Sequence, residues 1–153
     1  MKDEPSGDVG IILGRKVCLN LLLTLAGLFF LRVVVQLIQY FFAVDFLPNF
    51  ESWQSGALPY SVLLASQVLI LAVQVVFIYK AWKGSLKFKK RSCQFLLGLG
   101  TIYFVAMLCR LVLGLTTQNG HSWFDAPMPS IFHMILASFV IMLSVTADRN
   151  DDE

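Results

Sequence analysis

Charged residues are scarce in this sequence. They make up 14% of its 153 residues, whereas hydrophobic residues make up 57% and the mean hydropathy is +0.71. Soluble domains have charged residues near a quarter of the total, and a folded domain of this size must cover its surface with polar atoms. The composition therefore excludes a soluble globular domain and predicts that lipid surrounds the chain.

Residue types that carry redox and metal chemistry are also few. The three cysteines form no Cys-x-x-Cys motif, and Cys93 and Cys109 lie about 24 Å apart if one helix holds both, which argues against a thiol–disulfide oxidoreductase. Two histidines are too few for the four axial ligands of a two-haem cytochrome. The sequence has no glycine-rich phosphate loop. We expect no cofactor and no metal, and we lean away from an enzyme.

Long apolar runs are what the sequence does contain. Four of them lie at about residues 17–46, 60–82, 93–115 and 128–145, and a helix needs roughly 20 apolar residues to cross a hydrocarbon core of about 30 Å. The first run is overlong, so it should tilt or project beyond the membrane. We predict a single all-α domain over residues 1–153, a four-helix transmembrane bundle with short loops. An acidic tail at residues 146–153 should stay solvated.

Two of the predicted loops contain no lysine or arginine. These are residues 45–59 and 116–130, whereas the loop between them is bordered or filled by Lys80, Lys83, Lys87, Lys89, Lys90 and Arg91. The positive-inside rule makes the basic side cytoplasmic, and an even number of spans puts both termini there. We expect a plasma (inner) membrane location, membrane lipid and other membrane subunits as partners, and no nucleic acid. An acidic partner or anionic lipid is the alternative role for the basic loop.

Polar residues follow helical spacing within the apolar runs. The stripes are Arg32, Gln36 and Gln39 in the first run, Tyr60, Gln67, Gln74 and Ala81 in the second, Tyr103, Arg110 and Thr117 in the third, and His133, Ala137, Val140 and Ser144 in the fourth. A polar stripe facing lipid would leave its donors unsatisfied, so all four should face the interior.

Arg32 lies near the middle of its span, where an arginine costs about 2.5–3.5 kcal/mol on the insertion scale. Such residues are candidates for function. No Asp or Glu lies in the apolar part of any span to pair with it. Three interpretations stay open: structural hydrogen bonding to glutamines and carbonyls, binding of an anion or a quinone-like carbonyl ligand, and pairing with another subunit.

Both histidines, one of the two buried arginines and every acidic residue outside the cytoplasmic segments lie near the side opposite the basic loop. We predict that Arg110 pairs with Asp125, or else with Asp45, with His133 nearby. An outer pocket for a headgroup or solute is the alternative. The candidate ligand-binding residues are Arg32, Gln36, Gln39, Gln67, Gln74, Arg110, His133, Asp45, His121 and Asp125.

No motif in the sequence identifies a reaction. We expect a non-catalytic subunit, an assembly factor, or a bundle that binds lipid or a small ligand. The alternative is a membrane enzyme or small transporter that uses the outer Arg/His/Asp cluster. A proton-coupled transporter is disfavoured because such proteins usually keep an acid in mid-membrane.

Overall fold

The computed structural model describes residues 6–42, 44–47, 59–116 and 127–150. It contains four helices: α1 (Ser6–Phe42), α2 (Tyr60–Lys83), α3 (Lys90–Thr116) and α4 (Pro127–Thr146). Each is long and apolar enough to cross a membrane. The prediction of an all-α chain with four helices of spanning length is confirmed.

Helix α1 differs most from its predicted bounds. It begins at Ser6, well before residue 17, and ends at Phe42 instead of reaching residue 46. The backbone N–H of Val44 donates to Oε1 of Gln39 at 3.0 Å, so the glutamine side chain takes up a donor just beyond the helix end. The apolar residues Ala43, Val44 and Phe46 extended the predicted run, but the chain turns at Asp45 and Phe46, with the Leu47 N–H bonded to the Val44 carbonyl.

Helix α2 matches its predicted bounds because proline and glycine mark both ends. Pro59 precedes its first turn, and the Pro59 carbonyl accepts hydrogen bonds from the N–H groups of Val62 and Leu63. Gly84 follows the last turn with φ of 70°, a left-handed conformation that glycine adopts without a steric penalty. Its N–H donates to the Ala81 carbonyl.

The helices pack in the order α2, α1, α4, α3. Helix α1 contacts both α2 and α4, and α4 contacts α3. Of the most apolar stretch of each helix, 33% of the residues are buried in α4 and 11% in α2. Helix α4 is therefore the more central of the two. Gly100 of α3 lies against α4, since a Cβ added there would be 2.9 Å from Ile141 and 3.4 Å from the Ala137 carbonyl.

The apolar core lies at one end of the helices. We call it the basic end, because it carries the lysines between α2 and α3. The core cluster comprises Leu22, Ala81, Leu86, Cys93, Phe139, Leu143 and Ala147. These residues come from the first half of α1, the end of α2, the start of α3, the second half of α4 and the segments just after α2 and α4, so the cluster joins all four helices.

A short parallel ribbon completes the basic end. Strand β1 (Lys87–Lys89) pairs with β2 (Asp148–Asn150), with Phe88 opposite Arg149. The tail predicted from residue 146 onward is not disordered at Asp148–Asn150, which form a strand. The reason is that Leu86 and Ala147, which precede the two strands, are buried in one cluster and therefore bring the strands side by side.

Candidate functional site

Arg32 is buried inside the protein, with 6% of its surface exposed. It lies ten residues before the end of α1, about 15 Å along the helix axis. Its guanidinium carbon sits 5.0 Å from the ring centroid of Phe132 on α4, within range of a cation–π interaction. It also interacts electrostatically with Tyr60 of α2. The Arg32 side chain thus lies between α1, α2 and α4, residues of which line one cavity.

A cavity of about 100 Å³ lies beside Arg32. Its polar lining comes from Arg32, Ser66, Gln67 and His133, and its apolar lining from Phe29, Leu63, Ile70, Phe132 and Leu136. This volume holds a few water molecules or one small polar group. The cavity brings Arg32, Gln67 and His133, all predicted as candidates from the sequence, to one place.

His133 links the two buried arginines. Its Nδ1 is hydrogen-bonded to the Pro129 carbonyl one turn earlier; a carbonyl only accepts, so Nδ1 carries the hydrogen, and in the neutral ring Nε2 is an acceptor. The imidazole packs edge-on against Tyr103, with centroids 6.0 Å apart, and lies close enough to both Arg32 and Arg110 for their charges to act on it. From the sequence we predicted Arg32 and the cluster around Arg110 as two separate sites. In the structure His133 lies near both arginines.

The predicted glutamine stripes are buried, as expected. Nε2 of Gln67 donates to Oε1 of Gln36 at 3.2 Å, which ties α1 to α2. Within the described residues, Gln36 Nε2 and Gln67 Oε1 have no hydrogen-bond partner. Gln39 contributes to the end of α1, as described above. The single hydrogen bond between Gln36 and Gln67 therefore satisfies only one amide atom of each side chain.

Gln74 lies apart from this cavity. It is 2% exposed and lines an apolar groove of about 360 Å³ between α2, α3 and α4. Neither of its amide atoms has a hydrogen-bond partner among residues 6–42, 44–47, 59–116 and 127–150. The predicted burial of Gln74 is confirmed, but the structure does not bring it together with Arg32.

The outer cluster is described only in part. Arg110 is buried. Tyr103, seven residues earlier on α3, lies close enough to act on its charge. Asp45 is exposed in the turn after α1. His121 and Asp125 lie outside the described residues, so the pairing of Arg110 with Asp125 stays a prediction. Among the described residues, no three His, Cys, Asp or Glu side chains group together as metal ligands do.

Sequence reasoning missed the aromatic and hydroxyl residues around these polar groups. Phe132 was not singled out, and Tyr60 was placed in a stripe without a role, although it stacks on Tyr40 at 4.4 Å. Ser130 was not among the candidate residues, yet it is 1% exposed. It lies three residues before His133, and that helical spacing is a signal that places both on one face.

Comparison with protein-family models, curated protein sequences and solved structures finds no match to this chain.

Proposed function

We propose that this chain is a non-catalytic membrane protein that binds a small anionic or carbonyl-bearing ligand in the cavity beside Arg32. The observation that carries the proposal is the Arg32 guanidinium at a polar cavity between membrane-spanning helices. The four spans contain no Asp or Glu, while two arginines interact electrostatically with the one histidine among them. The positive potential favours an anion or the negative end of a carbonyl dipole.

The experiment compares small molecules that purify with the protein. Native mass spectrometry of the wild type should detect a bound molecule, and Arg32→Ala should lose it without a lower melting temperature. Removal of a buried charge relieves an insertion cost of about 2.5–3.5 kcal/mol, so a purely ligand-binding arginine is not needed for folding. Arg91→Ala is the matched control, since Arg91 is exposed at the start of α3.

A lower melting temperature of Arg32→Ala, with nothing bound to the wild type, would show that Arg32 has a structural role and would refute the proposal. Two alternatives have their own signatures in the same preparation. A stoichiometric protein that purifies with the chain supports a role as a subunit or assembly factor. Turnover by the isolated chain supports the membrane enzyme or transporter.

We propose that the bundle lies in the plasma membrane with both termini on the cytoplasmic side. The support for this orientation is the charge difference between loops, since the basic residues lie between α2 and α3 and the other two connections carry none. Reporters near Ser85 and after Glu153 should read cytoplasmic, whereas reporters at Ser55 and Asn119 should read external. An external signal at Ser85 contradicts this orientation.

A further inference from the structure

A second pocket lies at the basic end, far from the cavity beside Arg32. It has a volume of about 350 Å³ and is lined by Arg15, Cys18, Ala81, Gly84, Leu86, Val145 and Thr146. Arg15 precedes Arg32 by 17 residues on α1, about 25 Å along the helix axis. The two sites are therefore independent of each other.

We propose that this pocket, here called the Arg15 pocket, binds the phosphate group of an anionic membrane lipid. Four observations support the assignment: how the guanidinium is held, how many of its donors remain, where the pocket lies relative to the membrane, and which charges and apolar groups surround it.

The Arg15 guanidinium is held by the end of α2. Its Nη2 donates to the carbonyls of Ala81 at 3.2 Å and Trp82 at 3.4 Å, which belong to the last turn of the helix and carry the negative end of its dipole. Gly84 makes room for this contact, because a Cβ there would overlap the guanidinium. The arginine is thus fixed in place before any ligand binds.

The guanidinium keeps donors for a second partner. Arginine has five N–H donors, and within the described side chains Arg15 uses only those of Nη2. The three on Nε and Nη1 point to different sides of the guanidinium, so each nitrogen can donate to a separate phosphate oxygen. An arginine that caps a helix through Nη2 therefore keeps its charge and three donors for an anion.

The Arg15 pocket lies at headgroup depth. Gly84 directly follows the span that ends at Lys83, and Thr146 is the last residue of the fourth span. Two span ends thus meet at the Arg15 pocket, and the ends of spans are where lipid phosphates lie. This placement holds for either orientation of the protein in the membrane.

The surroundings fit an amphiphile better than a free ion. Lys16, Lys80 and Lys83 flank the lining residues in the chain and attract anionic headgroups. Leu86, Val145 and Cys18 give the pocket apolar walls, which suit the glycerol and first acyl carbons of a lipid. A basic pocket between membrane helices with such walls favours a lipid phosphate.

The test measures lipid preference of the full chain in phosphatidylcholine bilayers with a small fraction of spin-labelled phosphatidylglycerol. The wild type should associate with phosphatidylglycerol about tenfold more strongly than with spin-labelled phosphatidylcholine, and Arg15→Gln should bring the ratio near one. Arg91→Gln removes the same charge at the same end, but Arg91 does not line the pocket. It should keep most of the preference.

Arg15→Lys keeps the charge but loses the guanidinium that donates to α2 and to phosphate at once, so it should give an intermediate ratio and remains informative if Arg15→Gln does not fold. A wild-type ratio near one, or equal losses in Arg15→Gln and Arg91→Gln, would overturn the proposal, because diffuse surface charge would then explain the preference. In detergent, inorganic phosphate should not raise the melting temperature as phosphatidylglycerol does. An equal rise, lost in Arg15→Gln, would overturn the lipid as the source of the phosphate.

Discussion

The two ends of the helices differ in what they bury. At the basic end, the core cluster is apolar and joins all four helices, from Leu22 to Ala147. Toward the opposite end most buried side chains are polar, and Arg32, Gln36, Gln39, Gln67, Arg110 and Ser130 lie there, together with the apolar Phe29 and Val33. The first arrangement brings side chains of all four helices into close packing. The second includes buried atoms that have no partner within the described residues, such as Gln36 Nε2.

This difference indicates a division of roles. In lipid, apolar side chains gain little by leaving the bilayer, so close packing of small residues and shape complementarity hold helices together. This close packing occurs at Gly100, in the half of α3 nearer the basic end, whereas a polar cavity lies beside Arg32. We therefore infer that stability resides mainly near the basic end and binding near the polar cavity, with the Arg15 pocket at the membrane surface.

The largest effect is expected where α3 meets α4. Gly100→Val should abolish most of the folded protein, because even a Cβ would lie 2.9 Å from Cγ1 of Ile141 and 3.4 Å from the Ala137 backbone carbonyl. Gly98→Val is the matched control, since a Cβ at Gly98 meets nothing within 4 Å. Yield and melting temperature in detergent measure both. If Gly100→Val folded as well as Gly98→Val, the packing of α3 on α4 would not be the main source of stability.

A smaller loss should follow from a cavity in the apolar cluster. Leu22→Ala should lower the free energy of unfolding by about 1–3 kcal/mol. In soluble cores the cost is about 2–5 kcal/mol, and the part due to transfer from water is missing when the unfolded helices stay in lipid. Leu23→Ala is the control, because Leu23 is half exposed and should change little. Equal effects would show that the cluster does not support the fold more than the lipid-facing surface does.

Much of the helical architecture could be predicted from the sequence. Hydrophobicity located four spans, and the seven-residue spacing of Gln67, Gln74 and Ala81 identified the three buried residues of α2. The same reasoning correctly predicted that Arg32 and Gln36 are buried. Periodicity reports which face of a helix is buried because only that face avoids lipid.

The arrangement of the site could not be predicted in the same way. Periodicity does not report which neighbour a face meets, so the proximity of Arg32 to His133 and of Arg15 to Gly84 depended on the relative positions of whole helices. The C-terminal strand was missed for the same reason, since its partner lies about sixty residues earlier. The roles of His121 and Asp125 stay predictions, because both lie outside the described residues.

The smallest effect is expected for the hydrogen bond between Gln36 and Gln67. It is a single contact of 3.2 Å between α1 and α2, and such interhelical bonds in membranes contribute about 0.6 kcal/mol on average and at most about 1.7 kcal/mol. Each substitution by leucine also removes one amide atom that has no partner among the described residues, and this relief offsets part of the lost bond. Each single variant should therefore stay within about 1 kcal/mol of the wild type.

A double-mutant cycle isolates the contact itself. Unfolding free energies of Gln36→Leu, Gln67→Leu and the double variant should give a coupling near 0.6 kcal/mol. Gln74→Leu paired with Gln36→Leu serves as the control, because no hydrogen bond joins these two glutamines in the described structure, and its coupling should be near zero. A Gln36–Gln67 coupling well above 2 kcal/mol would make the polar end a source of stability comparable to the apolar cluster. The division of roles between the two ends would then fail, because the same residues would both hold the helices together and lie at the binding cavity.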